Sequence, residues 1–274
     1  MKKNINELQE IAKVIRKDIV TMLTESASGH PGGSLSAVEI LTTLYFNEMN
    51  INPEKPRDPE RDRFVLSKGH AAPVLYSALA RRGFFNVDEL HTLRKIGTML
   101  QGHPNMNDVP GVDMSTGSLG QGISTAVGMA LAGKCDGKAY RVYSLLGDGE
   151  LEEGQVWEAA MCAAHYKLDN LTAFIDSNGL QIDGKCEDVM NPGPIDQKFK
   201  AFGWHVIEID GHDLEAVQNA IDEAKNTKRQ PTAVVCHTVK GKGVSFMENQ
   251  AGWHGTAPSK EQCEIAIKEI GGEN

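Results

Sequence analysis

The chain has 274 residues, of which 40% are hydrophobic, and its formal net charge is −9 at pH 7. The hydrophobic content supports a sizeable core, and the length allows two domains or one large α/β domain. We favour a single domain over residues 1–274 with a helical amino-terminal portion. The acidic balance argues against nucleic acid or an anionic membrane surface as the main partner.

Cellular location is predicted from apolar runs and cysteines. No apolar run approaches the roughly 18 residues of a membrane span, and residues 1–7 lack the apolar core of a signal peptide. The five cysteines are odd in number, and the nearest two, Cys162 and Cys186, lie far apart in the sequence. This spacing suggests neither a zinc knuckle nor a disulfide framework. We therefore expect free thiols and a cytoplasmic protein.

Helices are predicted to dominate the first third of the chain. Residues 6–25 form an amphipathic helix, because apolar residues recur there at spacings of three and four. Ser36 and Glu39 predict a capping box at the start of another helix. Asn86 and Glu89 mark a third helix start more weakly.

From residue 141 onward, short β-rich runs alternate with helical stretches. The predicted strands are 141–146, 171–175, 204–209 and 232–239, with a possible earlier strand at 63–67. The predicted helices lie near 152–167 and 213–228, and a short helix capped by Ser259 and Gln262 follows. This alternation predicts an α/β fold with a doubly wound, mostly parallel sheet flanked by helices.

Two polar motifs follow two of the predicted strands. Gly147-Asp148-Gly149 comes after 141–146, and Asp176-Ser177-Asn178-Gly179 comes after 171–175. If these strands are parallel neighbours, Asp148 and Asn178 share a crevice at the carboxyl edge of the sheet. Both offer the hard oxygen ligands that Mg²⁺ prefers, and glycines let a diphosphate approach the backbone. The pattern predicts a magnesium-diphosphate site, with a simple nucleotide site as the rival interpretation.

These motifs resemble the signature of the thiamine diphosphate enzymes, in which Gly-Asp-Gly is followed some thirty residues later by an asparagine. The resemblance implies a divalent metal, Mg²⁺ or another cation such as Ca²⁺ or Mn²⁺. Its ligands would be Asp148, Asn178 and the main-chain carbonyl of Leu180. Ser177 stands where the signature has a first asparagine, and the ligand position itself is kept.

Further motifs narrow the resemblance to the transketolase family. They follow that family's order along the chain, and although each is weak alone, the set is strong. The motifs are Ser28-Gly29-His30-Pro31-Gly32, Ser67-Lys68-Gly69-His70, Gln101-Gly102-His103-Pro104, Thr116-Gly117-Ser118-Leu119-Gly120-Gln121-Gly122 and Trp253-His254-Gly255.

The resemblance implies roles for these residues. His70 and His254 would bind the diphosphate with the backbone at Gly149, while His30 and His103 would hydrogen-bond donor-sugar oxygens. The candidate catalytic residues are His30, His103, His254 and Glu153. The candidate cofactor-binding residues are His70, Gly117, Ser118, Leu119, Gly147, Asp148, Gly149, Glu150, Asn178, Ile182 and His254.

Several of these residues have a purely structural alternative. The glycine-rich segment from Gly117 could be a tight turn before an apolar helix, whereas in the family it lines the thiazolium and pyrimidine rings. Glu153 could be a solvated acid in a first helical turn, whereas in the family it is linked to the glutamate that activates the cofactor. His212 precedes a good N-cap, Asp213, so we assign that turn a structural role.

Three basic loops are not assigned to the site. Two segments match the first part of a phosphate-binding loop, ending at Lys134 and Lys185. A cysteine follows each lysine where serine or threonine is needed, so both are discounted. The loop around Lys240 could touch phosphate, but an ordinary basic loop after a strand is equally consistent with the sequence.

The resemblance covers only the first of three family domains. It implies a separate carboxyl-terminal subunit that carries the pyrimidine-binding domain and the activating glutamate. Together they would transfer a ketol unit between sugar phosphates as a two-fold heterotetramer. Two alternatives stay open: a subunit of another thiamine diphosphate enzyme, resembling a 2-oxo acid dehydrogenase alpha chain or deoxyxylulose-phosphate synthase, and a non-catalytic cofactor-binding regulatory module.

Overall fold

A five-stranded parallel sheet organises the chain. The structure, a computed structural model, describes residues 2–271. The sheet has the order β1-β2-β3-β7-β6, and every neighbouring pair is parallel. Its strands are β1 (Arg63–Leu66), β2 (Val142–Gly147), β3 (Leu171–Ser177), β6 (His205–Asp210) and β7 (Thr232–His237). A separate antiparallel hairpin pairs β4 (Leu180–Gln181) with β5 (Gly184–Lys185).

Helices cover both faces of the sheet. They are α1 (Ile5–Ser26), α2 (Pro31–Leu35), α3 (Val38–Thr43), α4 (Ala72–Arg82), α5 (Gln121–Cys135), α6 (Gly154–His165), α7 (Cys186–Val189), α8 (Ile195–Ala201), α9 (Leu214–Asn226) and α10 (Lys260–Glu269). Tyr143 and Leu145 of β2 pack in the core with α1, α3, α4 and α9, and Val142 and Leu146 pack in a second core with α5 and α6. Because successive strand side chains point to opposite faces, one strand supplies both cores. The predicted doubly wound α/β fold is confirmed.

Most predicted helix boundaries are confirmed, and one capping box is wrong. Asp213 caps α9 through the amides of Glu215 and Ala216, and Ser259 caps α10 in a capping box. Asn86 caps a 3-10 helix. The predicted box between Ser36 and Glu39 does not form, since α3 begins at Val38 without a side-chain cap.

Distant partners explain that wrong prediction. The Ser36 hydroxyl donates to the Asp176 carboxylate over 2.5 Å. Glu39 is 7% exposed and pairs with Arg16. A buried carboxylate gains more from a charged partner than from one backbone amide, so the charge pair determines where Glu39 points.

The register brings the polar motifs to one edge of the sheet. Gly147 lies beside Asp176, and Ser177 lies beside His237. The residues that follow β2, β3 and β7 therefore meet at the carboxyl edge, as expected for a parallel sheet.

Within residues 2–271, the structure contains no helix that is both long enough and apolar enough to cross a membrane.

Candidate functional site

Asp148 and Asn178 lie together where β2 and β3 end. The Asp148 carboxylate accepts the amide of Gly149 at 2.9 Å and the amide of Gly179 at 2.5 Å. The Asn178 side-chain oxygen accepts the Leu180 amide at 3.1 Å, and its nitrogen donates to Asp176. Burial, together with the charge of Asp176, raises the pKa of Asp148 to about 6. These contacts fix the two side chains among the predicted metal ligands at the edge of the sheet.

Two buried lysines join this edge. Lys68 is 1% exposed, and its ammonium donates to the Gly33 carbonyl at 2.8 Å and to Asp176. Lys240 is 2% exposed and contacts the Leu180 carbonyl at 3.0 Å and His254 Nδ1 at 2.9 Å. Burial and the nearby Lys68 charge lower the pKa of Lys240 to about 8. The site therefore holds two cations that suit an anionic ligand.

Sequence reasoning missed both lysines. Lys68 lies within a family motif that predicts a role only for His70. The sequence allows a phosphate contact for Lys240 but does not predict one, since a loop lysine is ordinarily solvated. Only its burial beside Leu180 and His254 distinguishes it from a surface lysine, and burial depends on the tertiary fold.

Four histidines from separate motifs form a cluster. The His30 ring centroid lies 5.2 Å from that of His70, 5.5 Å from that of His254 and 6.5 Å from that of His103. Burial and nearby cations lower the pKa of His30 and of His254 to about 4, and the pKa of His70 also lies well below its ordinary value. These rings are therefore neutral near pH 7, and each offers one donor and one acceptor.

Most of the predicted site residues line one cavity. It has a volume of about 190 Å³ and opens at the carboxyl edge of the sheet. Two apolar lining residues face solvent, with Leu119 36% exposed and Ile182 64% exposed. The predicted residues that line it are His70, Leu119, Gly147, Asp148, Gly149, Glu150, Asn178, Leu180, Ile182 and His254.

The remaining predicted residues lie around this cavity. Gly117 packs on the His103 ring, where an added Cβ would lie 3.0 Å from Cδ2. Ser118 and His103 are exposed. Glu153 is also exposed, at the N-cap of α6, with its side chain beside Gly120. The structure thus places Glu153 at the surface of the chain, within reach of a second molecule.

Glu150, three residues before Glu153, is the acid at the centre of this region. It is 3% exposed and accepts the amides of Gly120 at 2.9 Å and Gly147 at 3.0 Å, together with the Ser67 hydroxyl. Burial raises its pKa. Glu150 therefore joins the loops that follow β1 and β2 to the start of α5.

Comparison with known proteins identifies the family. A model described as "Transketolase, thiamine diphosphate binding domain" matches residues 7–274. The chain belongs to the transketolase family. It is 47% identical over 264 residues to the 6-deoxy-6-sulfo-D-fructose transketolase subunit of Clostridium sp., covering 96% of both chains. It is 45% identical over 255 residues to one subunit of the apulose-4-phosphate transketolase of Phocaeicola vulgatus, covering 93% of this chain and 90% of that one.

A solved transketolase shares the fold. The structure from Pichia stipitis, determined in complex with sedoheptulose 7-phosphate, superposes with a TM-score of 0.93 at 36% identity. The superposition covers 96% of this chain and 40% of that one. The chain thus spans about two fifths of this longer transketolase and nearly all of the two separate subunits.

The transketolase site fits a divalent metal and a diphosphate. The Leu180 carbonyl already accepts a hydrogen bond from a cation, the Lys240 ammonium, at 3.0 Å, so this oxygen lies in surroundings that suit a positive charge. Within the described residues, no group of three or more histidine, cysteine, aspartate or glutamate residues is placed to hold a metal. Such an ion would use the Asp148 carboxylate, the Asn178 amide oxygen and the Leu180 carbonyl, with further oxygens from the diphosphate.

The His30 pKa makes the stability of this transketolase domain depend on pH. Its folded-state pKa of about 4 lies below the ordinary 6.5, so the unfolded chain binds more protons between these values. Stability should therefore fall as the pH falls through this window. Relative to His30→Gln, the unfolding free energy of the wild type should drop by about 1–2 kcal/mol from pH 7 to pH 5. Urea titrations of both proteins measure this difference, and parallel pH profiles would contradict it.

Proposed function

We propose that this chain is the amino-terminal subunit of a two-chain transketolase, forming a single domain over residues 1–274. It would transfer a two-carbon ketol unit from a ketose phosphate to an aldose phosphate together with a separate carboxyl-terminal subunit. One observation carries the proposal: the oxygens of Asp148, Asn178 and Leu180, two buried lysines and a cluster of neutral histidines meet at one edge of the sheet. Family precedent supports a two-fold heterotetramer, and the five free cysteines support a cytoplasmic location.

The proposed roles follow from charge and position. Asp148, Asn178 and the Leu180 carbonyl would hold Mg²⁺ or another divalent cation, and His70, Lys240 and His254 would contact the diphosphate. Thiamine diphosphate, when bound, supplies the electron sink that allows a carbon–carbon bond beside a carbonyl to break. The neutral rings of His30 and His103 would hydrogen-bond hydroxyl and carbonyl oxygens of the donor sugar. The buried Nδ1 of His30 has no hydrogen-bond partner within the described residues, which supports a contact with a ligand.

A partner subunit is needed to complete this site. Leu119 and Ile182 line the cavity and are still 36% and 64% exposed, so the reactive end of a bound cofactor would face water. Exclusion of water strengthens the electrostatic interactions in an active site and protects reactive species. The exposed Glu153 beside Gly120 would be linked to the activating glutamate of the partner through a hydrogen bond in which one of the two carboxyl groups is protonated.

The direct test compares the pure chain with the two-subunit complex. We expect negligible ketol transfer by the pure chain, and turnover when the carboxyl-terminal subunit, thiamine diphosphate and Mg²⁺ are present. The donors tested should include xylulose 5-phosphate and the two substrates named for the relatives, 6-deoxy-6-sulfo-D-fructose and apulose 4-phosphate. A coupled assay with ribose 5-phosphate or another aldose phosphate as the acceptor measures turnover. Appreciable turnover by the pure chain would contradict the need for a partner.

The same panel separates the alternative functions. Oxidation of a 2-oxo acid, or condensation of pyruvate with an aldose phosphate, would assign the chain to another thiamine diphosphate enzyme. Cofactor binding without turnover of any substrate by the complex would indicate a regulatory module. The converging histidine cluster favours the transketolase function over both, because sugar donors present many oxygens that need hydrogen-bond partners.

His103→Ala should separate substrate binding from cofactor binding. His103 lies at the exposed rim, outside the residues that line the cavity. Its loss should leave the affinity for thiamine diphosphate nearly unchanged and lower kcat/KM of the assembled enzyme by about 10-fold or more, the cost of one or two lost hydrogen bonds. Calorimetry and steady-state kinetics provide the two measurements. The control is His91→Ala, which replaces an exposed histidine that pairs with Glu25. Equal turnover by His103→Ala and wild type would remove the substrate role.

A further inference from the structure

Lys240 lies in a tight turn whose shape is constrained by its neighbours. The Lys242 amide donates to the Val239 carbonyl at 3.2 Å, which closes a four-residue turn. Gly241 occupies the third position with φ +81°, and an added Cβ there would lie 2.5 Å from the Met247 carbonyl oxygen. Its amide also donates to the Gly32 carbonyl at 3.0 Å. The turn is therefore closely packed at Gly241, and the position of the Lys240 side chain depends on how the two ends of the turn are held.

Two side chains from distant elements hold these ends. His212, in the loop between β6 and α9, accepts the Val239 amide at Nε2 over 2.8 Å. Arg16 of α1 donates from Nε to the Lys242 carbonyl at 3.0 Å. One contact lies on each side of Lys240, so together they fix the position of its backbone.

Glu39 of α3 joins the two side chains. Its carboxylate forms a bidentate pair with Arg16, with distances of 2.7 Å from Nη1 and 2.9 Å from Nη2. The same carboxylate lies 3.0 Å from His212 Nδ1. Since a backbone amide can only donate, His212 Nε2 carries no proton and Nδ1 donates to Glu39. Arg16 and Glu39 are 8% and 7% exposed, so this geometry is held inside the protein.

We infer that Arg16, Glu39 and His212 form a positioning triad that sets the Lys240 ammonium in the candidate diphosphate site. The inference rests on the proposed function, because it assigns a diphosphate as the anion that Lys240 meets. It extends the structural role expected for His212 from its own turn to the turn that carries Lys240. None of the three residues lines the candidate cofactor cavity, so their effect on the ligand would pass through the turn.

Lys240 needs such positioning because burying its ammonium group costs free energy. Lys240 is desolvated and is compensated by only a few contacts, including the Leu180 carbonyl and His254. Such contacts require the backbone to be held within a fraction of an ångström, and supporting residues of this kind are worth about 10–100-fold in the affinity of a site. A turn that is free to shift would lose these contacts and the alignment of Lys240 with an anion.

Glu39→Gln and Glu48→Gln form a matched pair of variants that tests this role. Glu48 is 9% exposed and is also bound by two cationic groups, Lys2 and Lys225. It lies next to the amino edge of the sheet, since Asn50 pairs with Asp62 just before β1. Each change is isosteric and removes one buried negative charge. The two variants should therefore lose similar stability but differ in their affinity for thiamine diphosphate.

Two measurements on the full-length chain give the result. Hydrogen exchange of residues 238–243 reports on the turn, and calorimetry with Mg²⁺ measures the thiamine diphosphate Kd. Glu39→Gln and His212→Ala should speed exchange in this segment and raise Kd about 10-fold. His212→Gln, which keeps an acceptor and a donor, should recover part of both losses. Glu48→Gln should change neither quantity, even where it lowers Tm.

Each outcome decides a separate point. An unchanged Kd in Glu39→Gln and His212→Ala, with wild-type binding intact, would overturn the triad and leave the proposed function standing. An equal rise in Kd in Glu48→Gln would also overturn it, because general destabilisation would then explain the loss. No binding by the wild type, alone or with its partner, would remove both the triad and the proposed function.

Discussion

Asp148→Ala should abolish Mg²⁺-dependent binding of thiamine diphosphate and leave the fold intact. The change removes the only carboxylate among the three proposed metal ligands, while the Asn178 and Leu180 oxygens remain. Loss of an outer partner of a metal site costs about 10–100-fold in affinity, so loss of a charged ligand should cost more. Titration calorimetry with Mg²⁺ in excess measures the effect on cofactor affinity.

The fold should survive this change for a specific reason. Burial raises the pKa of Asp148, which means that its charged form is disfavoured in the metal-free protein. Circular dichroism should therefore show an unchanged spectrum. The control is Asp183→Ala, which replaces an exposed acid in the adjacent hairpin and should bind thiamine diphosphate with wild-type affinity. Wild-type affinity in Asp148→Ala would refute the metal assignment.

Lys68→Met should destabilise the chain by about 3–5 kcal/mol, the cost of breaking a buried ion pair by removing one partner. Asp176 is fully buried and would lose its cation, so either its uncompensated charge or the proton that it takes up would cost stability. The hydroxyls of Ser36 and Thr238 and the Asn178 amide would still donate to it, but they supply no charge. Urea unfolding at pH 7 measures the loss.

A surface pair provides the comparison for Lys68→Met. Lys13 pairs with Glu10 on the exposed face of α1, and such pairs contribute about 0–1 kcal/mol. Lys13→Met should thus leave the unfolding free energy nearly unchanged. Adding Asp176→Asn to Lys68→Met should recover part of the lost stability, since the unpaired charge is gone. A loss below about 1 kcal/mol for Lys68→Met alone would contradict the role of the ion pair.

The sheet and its polar edge could be predicted because their signals are local. β2 and β3 are short apolar runs, and each is followed directly by its polar motif, so identifying two strands as parallel neighbours placed Asp148 beside Asn178. The confirmed caps at Asp213 and Ser259 are equally local. Each of these features can be recognised from a few consecutive residues.

Features that depend on distant partners could not be predicted in this way. Ser36 bonds to Asp176, 140 positions away, which no capping pattern indicates. The burial of Lys240 depends on a loop that Arg16, 226 positions from its contact at Lys242, helps to hold. The burial of Glu150 and the exposure of Glu153 were equally hidden from the sequence, because they depend on a single 3-10 turn at Gly149–Glu152.

The long separation between Arg16 and Lys242 has a consequence for biosynthesis. The cavity takes residues from Gly33 to His254, so no nascent fragment that lacks His254 contains the whole lining. Domains with many such long-range contacts fold slowly, because bringing distant parts of the chain together costs loop-closure entropy. A nascent chain would therefore acquire cofactor at this cavity only after the segment that carries His254 has emerged and folded onto the sheet edge.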